Sequence, residues 1–218
     1  MIALAALLLL TGSPPRDLLQ DTLPRPVPEE RRIEPGTDSA RSTANMLRGQ
    51  MVSLDSLLGP PSRPPHLFAR LGRGTGDCYN PTDSIVAVSN ARRWPPKTTS
   101  SYAVFTDSLH RVRVVVETPT SCSGDWTISY THYFDDAGQT IAFTRYSGFF
   151  NGCDFGLARE STTYGYAHGS LVFKDYLLTD GPGHPKRTSA CAFMYRQPYS
   201  IFRTWTAYAR AFRSRSHH

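Results

Sequence analysis

Three groups of residues in this chain are of the types that do chemistry, and each is read first for the chemistry its spacing permits. The first is the set of four cysteines at 78, 122, 153 and 191. They show no CxxC or other metal-ligand spacing, so the thiols read as partners for one another, and an even count in an exported chain favours two disulfides. The second is "DCYNPTD", in which Asp77, Asn80 and Asp83 offer oxygen ligands for calcium. A calcium site needs six or more oxygens, and Asx turns account for the same residues. The third is the stretch from Trp126 to Cys153, "WTISYTHYFDDAGQTIAFTRYSGFFNGC", crowded with aromatic, hydroxyl and histidine side chains.

Catalytic chemistry is not spelled out anywhere. The chain contains no HExxH, GxSxG, P-loop or EF-hand motif. Asp135 and Asp136 are consecutive at a turn tip, and Glu160, Asp175 and Asp180 have no evident partners in the sequence. Paired acids of unequal acidity, the usual acid and base arrangement, therefore have no sequence signature here. No cofactor and no metal site is indicated.

The elements that would position these residues follow from the hydrophobic patterning. An apolar run from Ile2 to Leu10 is too short to span a bilayer and reads as the core of a signal peptide over residues 1–13. Residues 14–39 mix proline with charges of both signs and read as a flexible spacer. Residues 40–218 are then one disulfide-linked, β-rich domain. Its first element is an amphipathic helix, since Met46, Leu47, Met51, Leu54, Leu57 and Leu58 recur at spacings of three and four before Gly59 and two prolines.

Beyond Cys78 the period becomes two. "SIVAVSN", "SYAVFTDS" and "RVRVVVET" are short, β-branched and separated by turn residues, and two hairpins follow. The fold class expected is mainly β (α+β): an antiparallel meander forming a barrel or sandwich, with one N-terminal helix and a C-terminal segment that suits either a helix or a last strand. Aligning Gly138 with Gly169 places Ile141 over Val172, a loose internal repeat of two hairpins.

The first hairpin can be drawn in register. With Gly138 in the left-handed conformation after Asp136 and Ala137, Asp135 pairs with Gln139, Tyr133 with Ile141 and Thr131 with Phe143. Extended outward, that register brings Cys122 beside Cys153 and leaves Cys78 for Cys191. His132 falls on the more apolar face, where a hydrogen-bonded structural histidine is the expectation.

Two stretches carry resemblances. "LRGQMVSLDSLLGPPSR" resembles the helix-then-GxP start of small outer-membrane-assembly lipoproteins of the SmpA type, and the two glycine-turn hairpins look like YD-repeat hairpins. The first covers only the helix and lacks the lipid-bearing cysteine; the second consists of two degenerate copies.

Charge is distributed unevenly. The formal net charge is +6, and no acid follows Asp180, whereas Lys186, Arg187, Arg196, Arg203, Arg210, Arg213 and Arg215 all lie beyond it. Ile201, Trp205, Tyr208 and Phe212 line one helical face, with Arg203, Arg210 and Arg213 mostly away from it. The residues singled out for binding are thus Trp126, Tyr133, Arg203, Arg210 and Arg213. The expected function is an exported, secreted or periplasmic, non-catalytic binding or structural envelope protein. Its partner would be an anionic surface, lipid or lipopolysaccharide, or a saccharide held by exposed Trp126, Tyr133, Phe149 or Phe150. A secreted hydrolase whose site assembles only in the fold is the alternative; no specific nucleic-acid motif and no transmembrane span is present.

Overall fold

In the computed structural model of the chain, the described residues are 32–59, 64–74, 79–191 and 198–214. The leader and most of the spacer lie outside them. Helix α1, Asp38–Asp55, starts where Thr37 accepts a hydrogen bond from the Ala40 amide at 3.1 Å, a side-chain cap that satisfies one of the free N–H groups of the first turn. Asp38 adds negative charge at the positive end of the helix dipole. Ala44, Leu47 and Leu54 are its buried face, and the 3-10 turn Ser56–Leu58 closes it before Gly59.

Eight strands follow: β1 His66–Arg73, β2 Asn80–Val88, β3 Thr98–Thr106, β4 Val112–Pro119, β5 Trp126–Phe134, β6 Thr140–Phe149, β7 Ala158–Ala167 and β8 Ser170–Asp180. They form one antiparallel sheet in the order β2-β1-β3-β4-β5-β6-β7-β8. The sheet is open, with β2 and β8 at its two edges, and it is not closed into a barrel. The mainly β class holds, but closure does not, and the reason lies in what covers the two faces. Both faces of the β5–β6 hairpin are apolar because α1 packs on one and the C-terminal segment on the other, not because a second sheet faces it.

On the α1 side, Val114, Tyr133, Ile141, Ala142 and Phe173 meet Ala44, Leu47 and Leu54. A Cβ at Gly165 would lie 2.0 Å from the Phe173 ring, so only glycine lets that ring lie flat across β7 beneath Arg48, whose guanidinium carbon is 4.3 Å from the ring centroid. On the other side lies helix α2, Trp205–Ser214. Its Ala207, Tyr208, Ala211 and Phe212 pack on Tyr102, Val104, Val115 and Phe134. The C-terminal aromatic face is therefore docked in the core as a helix.

Strand β1, "HLFARLGR", carries no β-branched residue and falls outside the strand pattern of the sequence, yet it lies in the sheet between β2 and β3. Burial by its two neighbours replaces the missing intrinsic preference. The β5–β6 turn forms as expected: Gly138 has φ +75°, and the Asp135 amide donates to the Gln139 carbonyl at 2.9 Å. The register beyond it does not. Phe134 pairs with Thr140 but Tyr133 with Ala142 and His132 with Phe143, because Ile141 is a bulge residue. One extra residue moves every following side chain of β6 to the opposite face. The cause is tertiary: the Thr140 amide donates to the Arg203 carbonyl at 2.9 Å and its hydroxyl to the Phe202 carbonyl at 2.6 Å, so the start of β6 is held by the C-terminal segment.

The second hairpin shifts register at the equivalent place, between Gly165 and Tyr166, leaving Val172 as the extra residue. Ile141 and Val172, aligned in the internal repeat, are thus the bulges of both hairpins and both pack towards α1.

The disulfide joins Cys153 to Cys191, across a separation of 38 residues. This corrects the expected Cys122–Cys153 pair, and Cys122 is an exposed free thiol. Strands β5 and β6 stop pairing near Trp126 and Phe149. Before that point Cys122 is drawn into a tight turn in which the Gly124 amide donates to the Ser121 hydroxyl. After it, the Asp154 amide donates to the Ala190 carbonyl and carries Cys153 towards Cys191. Cys78 lies outside the described residues, so its expected pairing with Cys191 is excluded only through Cys191 itself.

Candidate functional site

The sheet face beneath α2 is best followed along its cross-strand rows. One row runs His66, Val104, Val115, His132, Phe143, Tyr164, Lys174 from β1 to β8. The next runs Phe68, Tyr102, Glu117, Tyr130, Arg145, Thr162, Tyr176. The first strands contribute apolar and aromatic groups, the last ones buried polar and charged groups, and His132 stands between them.

At the apolar end is a cavity of about 340 Å³. That size is in the range of small-molecule sites. Its floor is Phe68, Tyr102, Val104 and Val115, its roof Trp205, Tyr208 and Phe212 of α2. Aromatic edges define the walls, with Phe212 crossing Tyr102 at 4.7 Å and 86° between the rings. The inner wall is fixed by Arg70, a buried cation that donates to the Tyr102 hydroxyl at 3.1 Å and to the Phe212 carbonyl at 3.3 Å. A guanidinium on a carbonyl of the last turn of α2 is favourable with respect to the helix dipole and pins roof to floor.

The mouth is built from two turns. In the β3–β4 turn, Asp107 accepts hydrogen bonds from the Leu109 and Arg111 amides, and His110 adopts φ +60°. In the β5–β6 turn, Asp135 accepts from the Ala137 and Gln139 amides at 2.9 and 2.7 Å. Arginines tie the turns together: Arg111 contacts Asp107 at 2.8 Å and Asp136 at 3.2 Å, and Arg113 contacts Asp136 at 2.6 Å and Asp107 at 3.4 Å. Burial works to raise the Asp107 carboxyl, but hydrogen bonds from the Arg111 and Leu109 amides and from both guanidinium groups outweigh it and hold the group below its ordinary value.

At the polar end, Arg145 and Glu160 form a fully buried ion pair at 2.5 Å, and the Ser147 hydroxyl donates to the same carboxylate oxygen at 3.0 Å. Thr162 and Lys174 are also fully buried on this face, with the Lys174 ammonium 5.6 Å from the Tyr164 ring centroid. The sequence does not announce this cluster, because β6–β8 alternate as ordinary strands and the partners of Glu160 lie on the neighbouring strand. Asp175 likewise finds Arg48 at 3.2 Å, and Asp180 finds Lys186 at 3.0 Å. Burial tends to raise the Asp180 carboxyl, but bonds from Lys186 and from the His184 amide and ring lower it to about 2.

His132 is the structural histidine expected. It is buried, its Nε2 accepts from the Phe202 amide at 3.3 Å, and its Nδ1 has no hydrogen-bond partner among the described residues. Phe143 and Tyr208 meet its ring edge to face at 4.8 and 4.9 Å. Burial alone pushes its pKa down to about 3, so the imidazole is neutral.

The residues singled out from the sequence do not assemble into one site. Tyr133 is buried on the α1 side and donates to Asp55 at 2.8 Å, which, after burial itself, raises its pKa. Trp126 is half-buried against Ile128, Phe149 and Leu178. Of the four rings considered for a sugar face, Phe149 and Tyr133 are buried and Phe150 is exposed. Arg203 and Arg210 are exposed, Arg213 half-buried. None of the five lines the cavity. The residues that do include Trp205, Tyr208 and Phe212 of the aromatic helical face, and no sequence signal separates a core face from a cavity roof.

Asn80 and Asp83, two of the three calcium candidates, lie in β2, and Asp77 lies outside the described residues. Among the described residues no group of three or more His, Cys, Asp or Glu is placed to hold a metal ion. His184 and Asp180, in contact at 3.2 Å, belong to the turn after β8 and not to the cavity. No helix among the described residues is long and apolar enough to cross a membrane. Compared with known proteins, the chain matches no family model, no curated protein and no solved structure.

Proposed function

We propose that the protein is an exported, non-catalytic binding protein whose cavity beneath α2 takes a small, predominantly apolar molecule. The observation that carries the reading is the cavity itself, about 340 Å³ walled by Phe68, Tyr102, Trp205, Tyr208 and Phe212. A well-packed interior leaves few voids larger than a water molecule, and apolar walls of this kind gain from a ligand that replaces water. Export is supported by the leader-like run at residues 2–10 and by the Cys153–Cys191 bridge, which persists in oxidising compartments. Calorimetric titration with 2-naphthylmethanol is the test. One-to-one binding is expected, weakened at least about tenfold by Val104→Phe, which fills the cavity floor. Binding unaffected by that substitution would end the cavity reading.

A second contact surface is supported by the C-terminal segment, where Arg203, just before α2, and Arg210 on it are exposed and no acid follows Asp180 in the sequence. Association with an anionic lipid or lipopolysaccharide surface is the reading, weak and salt-sensitive. Co-sedimentation with anionic vesicles should be lost between low and high salt and reduced by Arg203→Gln with Arg210→Gln; no sedimentation at low salt contradicts it.

A further inference from the structure

We infer that the ligand of this cavity carries no negative charge and that its polar group, if it carries one, faces His66 and His110 at the mouth; the inference rests on the cavity reading above. The carboxylates and the guanidinium that line the cavity already have protein partners. Asp136 is held by Arg113 and Arg111. Arg111 is shared between Asp107 and Asp136. Asp135 spends one carboxylate oxygen on two amides of its own turn. The cationic Arg70 at the inner end is taken by Tyr102, by the Thr82 carbonyl and by the Phe212 carbonyl.

An anion entering such a site finds aromatic and aliphatic walls, a guanidinium already shared between two carboxylates and, in Asp135, a carboxylate that no cation pairs among the described residues. It would lose its hydration without an ion pair in return, which is far costlier than burying a neutral group. A neutral molecule pays only for its hydrogen bonds. His66 and His110 at the mouth are exposed, engage in none of these ion pairs and can each donate or accept. Selectivity against anions is thus built by pairing the mouth guanidinium groups with carboxylates, and breaking a pair should relax it.

The experiment compares three probes with one apolar body on the full chain: 2-naphthylmethanol, 2-naphthylacetate and (2-naphthylmethyl)trimethylammonium, each titrated with and without Val104→Phe. The neutral probe should bind at least about tenfold more tightly than the acetate, and the trimethylammonium should also bind more tightly than the acetate. Asp136→Asn, at an exposed turn position, should raise the affinity for the acetate severalfold by releasing Arg111 and Arg113, with circular dichroism unchanged. The acetate binding the unmodified protein as well as the alcohol or the trimethylammonium overturns the inference and leaves the cavity reading standing. An unchanged acetate affinity in a folded Asp136→Asn also overturns it. Failure of all three probes sinks the cavity reading and this inference together.

Discussion

His132 shows how one side chain can be legible in type but not in consequence. Its position on the apolar face of β5 follows from the alternation of "WTISYTHYF", and the structural role follows from that. Its acidity does not, because the burying atoms come from Phe143, Phe202 and Tyr208, remote in sequence. With the pKa lowered from 6.5 to about 3, the unfolded chain binds a proton between those values and the folded one does not. Stability from this group is therefore complete above pH 6.5 and is lost as the pH falls towards 3, by at most about 1.4 kcal/mol per unit. Urea unfolding at pH 7 and pH 4.5 should show a smaller acid loss in His132→Phe than in the parent; equal losses would assign the acid limb elsewhere. The Arg145–Glu160 pair gives a second residue-scale expectation. Glu160→Met, which takes the carboxylate from a buried guanidinium, should cost about 3–5 kcal/mol, whereas Arg145→Met with Glu160→Met should cost much less. Additive losses in denaturation would mean that the two residues do not act as a pair.

At the scale of elements, α1, the paired strands β5–β6 and β7–β8, and the aromatic face of the C-terminal helix all follow from period, turn glycines and spacing. What fails is what depends on distant chain. The β5–β6 register slips because Phe202 and Arg203 hold Thr140, and no local signal within the hairpin reports that. Strand β1 is missed because "HLFARLGR" looks like neither strand nor helix until β2 and β3 flank it. The cysteine pairing fails for a related reason: extending a ladder past its last hydrogen bond assumes straight strands, and both ends here turn away. Non-reduced peptide mapping should link Cys153 to Cys191, with Cys122 alkylated without prior reduction. Replacing both bridged cysteines by serine should lower stability by about 4 kcal/mol, the chain-entropy value for a loop of 38 residues. A Cys122–Cys153 peptide would contradict the splayed ends, and an unchanged unfolding midpoint would show that the β6–β7 connection and the segment after β8 are held together without the bridge.

For the whole molecule, the design is one open sheet with a different task on each face. The α1 face is packed by aliphatic groups together with Tyr133 and Phe173. The α2 face is divided by His132 into a polar, closed half and an apolar half that retains space. Helix α2 belongs to the fold as much as to the cavity, since removing residues 201–214 strips Phe202, Tyr208 and Phe212 from the core. The candidate site was the least legible feature because a cavity is the absence of a side chain, which only the assembled floor and roof define. A crystal structure of the protein soaked with 2-naphthylmethanol tests the central claim most directly. The account predicts the naphthyl ring between Val104 and Val115 below and Trp205, Tyr208 and Phe212 above, with the hydroxyl towards His66 and His110. The ring found on an outer surface, with the space beneath α2 closed by collapsed aromatic side chains, would contradict it.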